Sequence, residues 1–379
     1  MSTRICSIIV PVFQDSAIFD LFLDSLWRTV EVPSQIVLLN DGSGHRVDEL
    51  IESYSRHAPA SIRVERRAWQ RSRGCACVLN AGLELAEGEV VIFADSDLIF
   101  TAGWQTALLG AVARPGVGSA GGLLLYPQTG GVQHCGIGFS EDIGRHLFLN
   151  ASPDDVPQDT FTVQSVVFAL CAMPHSVIDA VGAVDEQYFN GYEDLDYQMR
   201  VGRLGLQVVV EPRARAYHWE RGSGPNRAAN RKRNLGRFWR QWGSSIKSDV
   251  EGHLVRRLAE VGGRGQVFRG IDLCRDRPCA DHTWGTLRRE MSIAAIDDLS
   301  YMVGTDDEIW LPRALGVDGH RTTQRLLFLV DNFVQLLGNS YWIELRGTVR
   351  DDDVIIDLYA NAVPLQRLRV SCWPGTKIR

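Results

Sequence analysis

The stretch AEGEVVIFADSD, Ala86 to Asp97, sets both the fold and the chemistry to be expected of this chain. Glu89 to Ala94 is a run of strand length made almost wholly of β-branched, aromatic and small apolar residues. Such a run fits a strand buried in a sheet. Asp95-Ser96-Asp97 stops it, so both carboxylates emerge at the strand's carboxyl end, separated across a tight turn. A pair of this kind can hold Mg²⁺ or Mn²⁺, which take hard oxygen ligands and leave positions for water and substrate phosphates. Acidic turn residues are common, so the pair gains weight only from what surrounds it.

Working outward, the same unit repeats on the N-terminal side. Cys6 to Val12 reads as a buried strand, and Ile18, Phe22, Leu26 and Val30 follow at helical spacing. Gln35 to Leu39 is a second strand ending in the turn Asn40-Asp41-Gly42-Ser43-Gly44, with a helix expected from Val47 to about His57. Ile62 to Glu65 offers a third strand and Cys75 to Leu85 a helix. On the C-terminal side the pattern predicts a helix over Trp104–Val112, short strands and loops to Gly144, a strand over Thr162–Leu170, a helix over Glu193–Leu204 and a strand from Gln207. Strands alternating with helices imply an α/β fold: a Rossmann-like, mainly parallel sheet flanked by helices, its ligand site at the strands' carboxyl ends.

The whole chain has 379 residues, 45% hydrophobic and 23% charged, enough for a large core and for two units. We expect a catalytic domain over 1–243, a helical or linker region over 244–280, and a smaller, β-rich accessory module over 281–379, where Gln324–Val330, Tyr341–Gly347 and Asp353–Tyr359 read as strands. A net charge of −6 argues against a nucleic-acid partner. The N-terminus carries no apolar leader and no run approaches the ~20 residues of a membrane-spanning helix, so a cytoplasmic protein with at most peripheral membrane contact is expected. The eight cysteines lack zinc-site spacing and read as reduced, mostly buried thiols.

In order along the chain, SIIVPV (Ser7–Val12), LLNDGS (Leu38–Ser43), NAG (Asn80–Gly82), the Ala86–Asp97 stretch and GYEDLD (Gly191–Asp196) resemble family 2 glycosyltransferases over about residues 5–240. The ordered set is far more specific than any one piece. The resemblance implies a GT-A fold, a nucleotide-sugar donor (a UDP- or dTDP-sugar), a Mn²⁺ or Mg²⁺ ion, and inversion at the anomeric carbon. Residues Gly122–Gln128 and Val132–Gly136 are similar to the subset that builds bacterial surface polysaccharides, rhamnosyltransferase-like members included. Ala169–Met173 departs from that subset, where many relatives carry a Gly-containing stretch near the sugar.

By that resemblance Pro11 and Asp41 line the nucleoside pocket, with Asp41 accepting a hydrogen bond from the base; an Asx-turn role before Gly42 would serve Asp41 as well. Asp15 would contact the ribose and Arg73 a phosphate, against the alternative of a solvated surface arginine. Asn80 is either a nucleotide contact or a packing residue. Asp95 would face the nucleotide and share the metal with Asp97, and His218, in Ala216-Tyr217-His218-Trp219, would join them. Gln133 and His134 would line the sugar or acceptor pocket, or else form a polar turn. Asp194 is implied as the base that takes the acceptor hydroxyl proton, with Glu193 supporting or substituting; helix capping is the alternative account of both, and the weaker one in this context. Asp196 would hold the helix in place.

Arg221 to Arg240 carries Arg227, Arg231, Lys232, Arg233, Arg237 and Arg240 on an expected helix. It would neutralise a diphosphate, attract an anionic lipid-linked acceptor, or form a solvated face, with Phe238, Trp239 and Trp242 packing it down. Two rival readings stand beside the glycosyltransferase. A sugar nucleotidyltransferase would call for a Gly-rich basic phosphate loop, which Pro11-Val-Phe-Gln-Asp15 lacks. A degenerate carbohydrate-binding protein would not need Asp95, Asp97 and Asp194. The expected partners are the donor and a glycan or lipid-linked acceptor, with self-association or glycan binding through the C-terminal module and its aromatics Trp310, Tyr341, Trp342 and Trp373.

Overall fold

A computed structural model describes residues 6–13, 16–140, 143–220, 224–263, 265–300, 324–332 and 352–365. The chain divides into two compact units, residues 1–137 with 152–246, and residues 138–151 with 247–379.

In the first unit the expected alternation forms as β1 (Cys6–Val12), α1 (Ser16–Thr29), β2 (Ser34–Asp41), α2 (His45–Arg56), β3 (Ile62–Trp69), α3 (Cys75–Leu83) and β4 (Val90–Ala94). β5 (Leu98–Phe100), α4 (Trp104–Val112), β6 (Val117–Leu125) and β7 (Val132–His134) follow. The segment Gly138–Ala151 leaves for the other unit and carries most of β8 (Ile137–Ser140) and β9 (Ile143–His146), which pair with each other. The first unit then continues with β10 (Phe161–Val163), β11 (Leu170–Pro174), α5 (His175–Val181), α6 (Glu193–Arg203), β12 (Gln207–His218) and α7 (Gly224–Trp242).

The main path of the sheet is β10-β12-β6-β11-β4-β1-β2-β3, with β5 on β12 and β7 on β6. β4, β1, β2 and β3 are parallel; the apolar residues of β4, β1 and β2 are almost all buried because α1, α2 and α3 cover the faces, whereas the edge strand β3 buries only Ile62 fully. Phe19, Phe22, Leu23 and Leu26 form the buried stripe of α1. Gly88 lets the chain lie directly on β1: a Cβ there would stand 2.4 Å from the Ser7 amide nitrogen. The Ser7 hydroxyl accepts from the Glu87 and Gly88 amides and donates to Gln35, which ties the turn before β4 to β1 and β2.

The run Thr162–Leu170 is not one strand but the end of β10, a connection, and the first residue of β11. β10 lies at the sheet edge against β12, whereas β11 inserts antiparallel between β6 and β4. A mainly apolar run reports burial, and Val163, Val166, Phe168 and Leu170 are all buried. It does not report that the chain changes its place in the sheet between them.

The second unit contains α8 (Val250–Leu258), β13 (Val267–Asp272), α9 (Arg277–Glu290), β14 (Ser292–Asp298), β15 (Arg325–Val330), β16 (Val354–Asp357) and β17 (Ala362–Pro364). Its sheet runs β14-β13-β15-β16-β17, parallel except for the last pair. The stretch 244–280, expected as a helical or linker region, supplies the helix α8 and also the interior strand β13. Six residues interrupted by Arg269 and Gly270 are too short and mixed to announce a core strand by pattern. Phe268, Ile271, Leu327, Phe328, Leu329, Ile355 and Ile356 form the core, with Trp284 and Leu287 of α9 also buried. Tyr341–Gly347, Trp310, Tyr341, Trp342 and Trp373 lie outside the described residues.

Candidate active site

Parallel β1, β2 and β4 end together, and the loops after them share one edge of the sheet. β12 reaches the same edge from the far side: it pairs antiparallel with β5, setting His218 opposite Leu98 and so beside Asp97. His218 Nε2 lies 3.2 Å from an Asp97 carboxylate oxygen and 3.7 Å from one of Asp95. Among the described residues, Asp95, Asp97 and His218 are the one group of acidic, histidine or cysteine side chains whose donor atoms converge, all within 4.8 Å. Asp97 is almost fully buried and Asp95 is partly open, so the cluster has a closed side and a side accessible to substrate. Two carboxylates and one imidazole nitrogen fit Mn²⁺, which accepts mixed oxygen and nitrogen donors, better than Mg²⁺. Burial alone would lower the His218 pKa, but its hydrogen bond to Asp97 and the charges of Asp97, Asp95 and Glu220 leave it raised.

The candidate base sits at the start of α6, after Asn190, Gly191 and Tyr192, all of which have positive φ. Asparagine and glycine tolerate that region; tyrosine does so at a cost, and the surrounding contacts maintain it. The Asn190 side chain accepts from the Cys75 amide, Asn234 of α7 donates to the carbonyls of Phe189 and Gly191, and the Tyr192 ring meets Phe238 at 5.6 Å. The loop is therefore clamped by α3 and α7, and Asp194 and Glu193 enter the helix from a fixed position. Glu193 is buried and accepts from the Gly191 amide. Burial, and then the neighbouring Asp194 charge, pushes its carboxyl up to about 7. Asp194, less buried, accepts from the Leu195 amide. Burial, and then the charges of Glu193, Asp95 and Asp194, push the Cys75 thiol up, so these three carboxylates lie near the N-terminus of α3. Asp196 is buried and accepts from Trp242 Nε1, Gln241 Nε2 and Arg200 Nε, fastening α6 to α7, as expected of a holding residue.

Other expected site residues have structural partners. Both carboxylate oxygens of Asp41 are engaged, accepting from the Ser72 hydroxyl and from the amides of Arg73 and Gly74. Asp41 thus closes the 72–74 loop over the end of β2, a role beside the ones expected for it. Asn80 bonds Val184 in both directions and donates to Glu186, which makes it a packing residue of α3. His134 is buried, and its Nε2 accepts from the amides of Gly136 and Val167. Gln133, also buried, meets His218 directly, with its carbonyl oxygen 2.7 Å from Nδ1. Pro11 is half-buried on β1 beside Leu39, and the Arg73 side chain is exposed. Asp15 lies outside the described residues. On α7, Arg233 and Arg237 bond Gln187 and Asp185, so part of the basic face is spent within the unit, while Phe238 and Trp242 are buried as packing residues. Asn190, Asn234, Ser72 and Cys75 were not singled out from the sequence. The Asn190-Gly191 pair, a signal for left-handed backbone, was the one local cue.

Residues 7–138 match the model of the glycosyl transferase family 2. The O-antigen biosynthesis protein RfbC of Myxococcus xanthus is 27% identical over 227 residues, 57% of this chain and 17% of RfbC. The uncharacterized glycosyltransferase EpsJ of Bacillus subtilis is 34% identical over 91 residues, 24% of this chain and 25% of EpsJ. The matched stretches thus span about a quarter or less of these two relatives. A crystal structure of GalNAc-T7 with UDP, GalNAc and Mn²⁺ superimposes with a TM-score of 0.53 at 14% identity, covering 67% of this chain and 51% of that one. At that identity the likeness is one of fold, the GT-A fold. Among the described residues no helix is long and apolar enough to cross a membrane.

Proposed function

From a first unit that is a family 2 glycosyltransferase domain, we propose that the chain transfers a hexosyl or deoxyhexosyl group from a UDP- or dTDP-sugar to a hydroxyl of a glycan or lipid-linked acceptor. Inversion at the anomeric carbon and a place in bacterial surface polysaccharide synthesis, at the cytoplasmic face of the membrane, belong to the same proposal. The observation that carries it is the convergence of Asp95, Asp97 and His218 at the sheet edge that also presents Asp194.

In this reading Asp97, Asp95 and His218 hold a Mn²⁺ or Mg²⁺ ion, which supplies charge neutralisation for a departing nucleoside diphosphate. Asp194 accepts the proton of the acceptor hydroxyl as that oxygen attacks from the face opposite the leaving group. Glu193, whose carboxyl is pushed up to about 7 by burial and then by the Asp194 charge, holds the Gly191 turn. Asp41 keeps the 72–74 loop closed, so that Arg73 and the backbone around it face the nucleotide in a fixed shape. The clamped loop before α6 holds the base in place before substrate arrives, where electrostatic positioning is most effective.

The test is Asp194→Asn assayed for release of nucleoside diphosphate from a panel of UDP- and dTDP-sugars. Acceptor-dependent release should fall by at least about 10²-fold, while Mn²⁺-dependent donor binding, read as a rise in thermal midpoint, persists. Wild-type turnover by Asp194→Asn removes the base assignment, and an unchanged metal-dependent midpoint rise in Asp97→Ala removes the metal assignment.

A further inference from the structure

We infer that Gln133 is the positioning residue of the cation site: it holds the Nδ1 hydrogen and the ring orientation of His218, so that Nε2 is the nitrogen turned toward Asp95 and Asp97. The inference rests on the proposed metal site and assigns Gln133 a role that a sugar-pocket contact would not have.

The argument begins with register. β7 pairs with β6 through Leu124 opposite His134 and Leu125 opposite Val132, which leaves Gln133 as the extra residue at an irregularity in the ladder. A bulge of this kind re-aims one side chain, and bulges recur beside active sites. Here the side chain is aimed across β6, since β12 lies on the other side of that strand and ends at His218.

Chemistry then fixes the amide's orientation. Gln133 Nε2 lies 3.2 Å from the His218 carbonyl oxygen and 3.3 Å from a Glu220 carboxylate oxygen, both of them acceptors. Turning the amide over would set its own oxygen against those two, so the amino group must face them. The carbonyl oxygen is thereby committed to His218 Nδ1 at 2.7 Å, and because it can only accept, Nδ1 carries the hydrogen. The nitrogen left to face Asp97 and Asp95 is Nε2, which is the arrangement required of an imidazole that ligates through Nε2. Gln133 is itself 5% exposed, so water does not readily compete for these bonds. One buried side chain therefore holds His218 at two points, its ring and its carbonyl, and ties in Glu220, whose φ of 53° fixes the turn after β12.

The experiment compares the wild-type chain, Gln133→Leu, and Gln133→Asn, which keeps the amide but shortens its reach by one methylene. In the metal-free proteins, labelled with ¹⁵N-histidine and with the His218 signal assigned by its loss in His218→Ala, ¹H–¹⁵N correlation reads the hydrogen on Nδ1, whatever the state of Nε2. Wild type should show a slowly exchanging Nδ1 hydrogen, and both variants should lose it. Mn²⁺ affinity by electron paramagnetic resonance should fall about 10–100-fold in Gln133→Leu and in Gln133→Asn, the usual effect of losing a ligand's outer partner. Far-UV circular dichroism confirms folding, and Gln133→Asn carries the test if Gln133→Leu does not fold. An unchanged Nδ1 signal and affinity in the folded variants overturn the inference alone. Wild type that binds no Mn²⁺ in an Asp97-dependent way overturns the metal reading beneath it as well.

Discussion

Replacing Asp196 with alanine should destabilise the first unit by about 3–5 kcal/mol, the range for removing one partner from a buried charged network. Asp196 is 1% exposed and accepts three hydrogen bonds. Trp242 Nε1, on a fully buried side chain, would lose its 2.8 Å acceptor and be left unsatisfied, which costs about 1–3 kcal/mol. The Arg200 guanidinium would lose the carboxylate paired with its Nε but keep the carbonyls of Val181 and Ala183, so its share is smaller, about 1–2 kcal/mol. Gln241 is exposed and can turn to water, contributing close to nothing. Urea unfolding gives the total, and hydrogen exchange over 193–203 and 224–242 shows whether the loss is local to α6 and α7. Gln241→Ala should stay within about 0.5 kcal/mol of wild type. A cycle with Trp242→Phe should return a coupling of about 1–2 kcal/mol. A variant Asp196→Ala within about 1 kcal/mol of wild type, or a coupling near zero, would refute the claim that this carboxylate fastens the two helices.

Two further outcomes are expected. Gly88→Ala would drive a methyl group to within 2.4 Å of the Ser7 amide and 2.5 Å of the Cys6 carbonyl carbon, both backbone atoms that cannot yield cheaply. A loss of about 3 kcal/mol should appear in urea unfolding, and an unchanged midpoint would mean that the turn before β4 does not pack on β1 as described. Glu193 has a folded-state pKa raised from 4.5 to about 7, so folding takes up a proton between those values and stability falls as pH rises through that window. Glu193→Gln removes the titration, and its thermal midpoint relative to wild type should climb from pH 5 to pH 8. Parallel curves for the two proteins would contradict a buried, protonated Glu193.

Local patterns in this chain spoke clearly wherever one strand or helix is buried by its own sequence. The runs at Cys6, Gln35 and Val90 and the spacing of α1 and α4 gave the alternation, and the carboxylates after β4 marked the edge where chemistry occurs. They failed where burial is shared. The stretch Thr162–Leu170 joins the end of β10 to the start of β11, which occupy different places in the sheet, and β13 is an interior strand of its sheet while its six residues look unremarkable.

The sequence by itself determined the parallel α/β core and the residue types available at its carboxyl edge, because alternation and strand-length apolar runs are properties of neighbours along the chain. It nominated Asp95, Asp97, His218 and Asp194, and the tertiary structure decided how they meet. His218 comes to Asp97 because β12 runs antiparallel to β5. Gln133 comes to His218 because an irregular β7 sends it across β6, and Asp41 and Asn80 are bound to the loops they hold. Hydrogen-bond capacity is finite. Which of a residue's partners wins it depends on contacts between segments some thirty to a hundred residues apart, such as Asp41 with Arg73 and Asn80 with Val184, and those exist only once the sheet has formed.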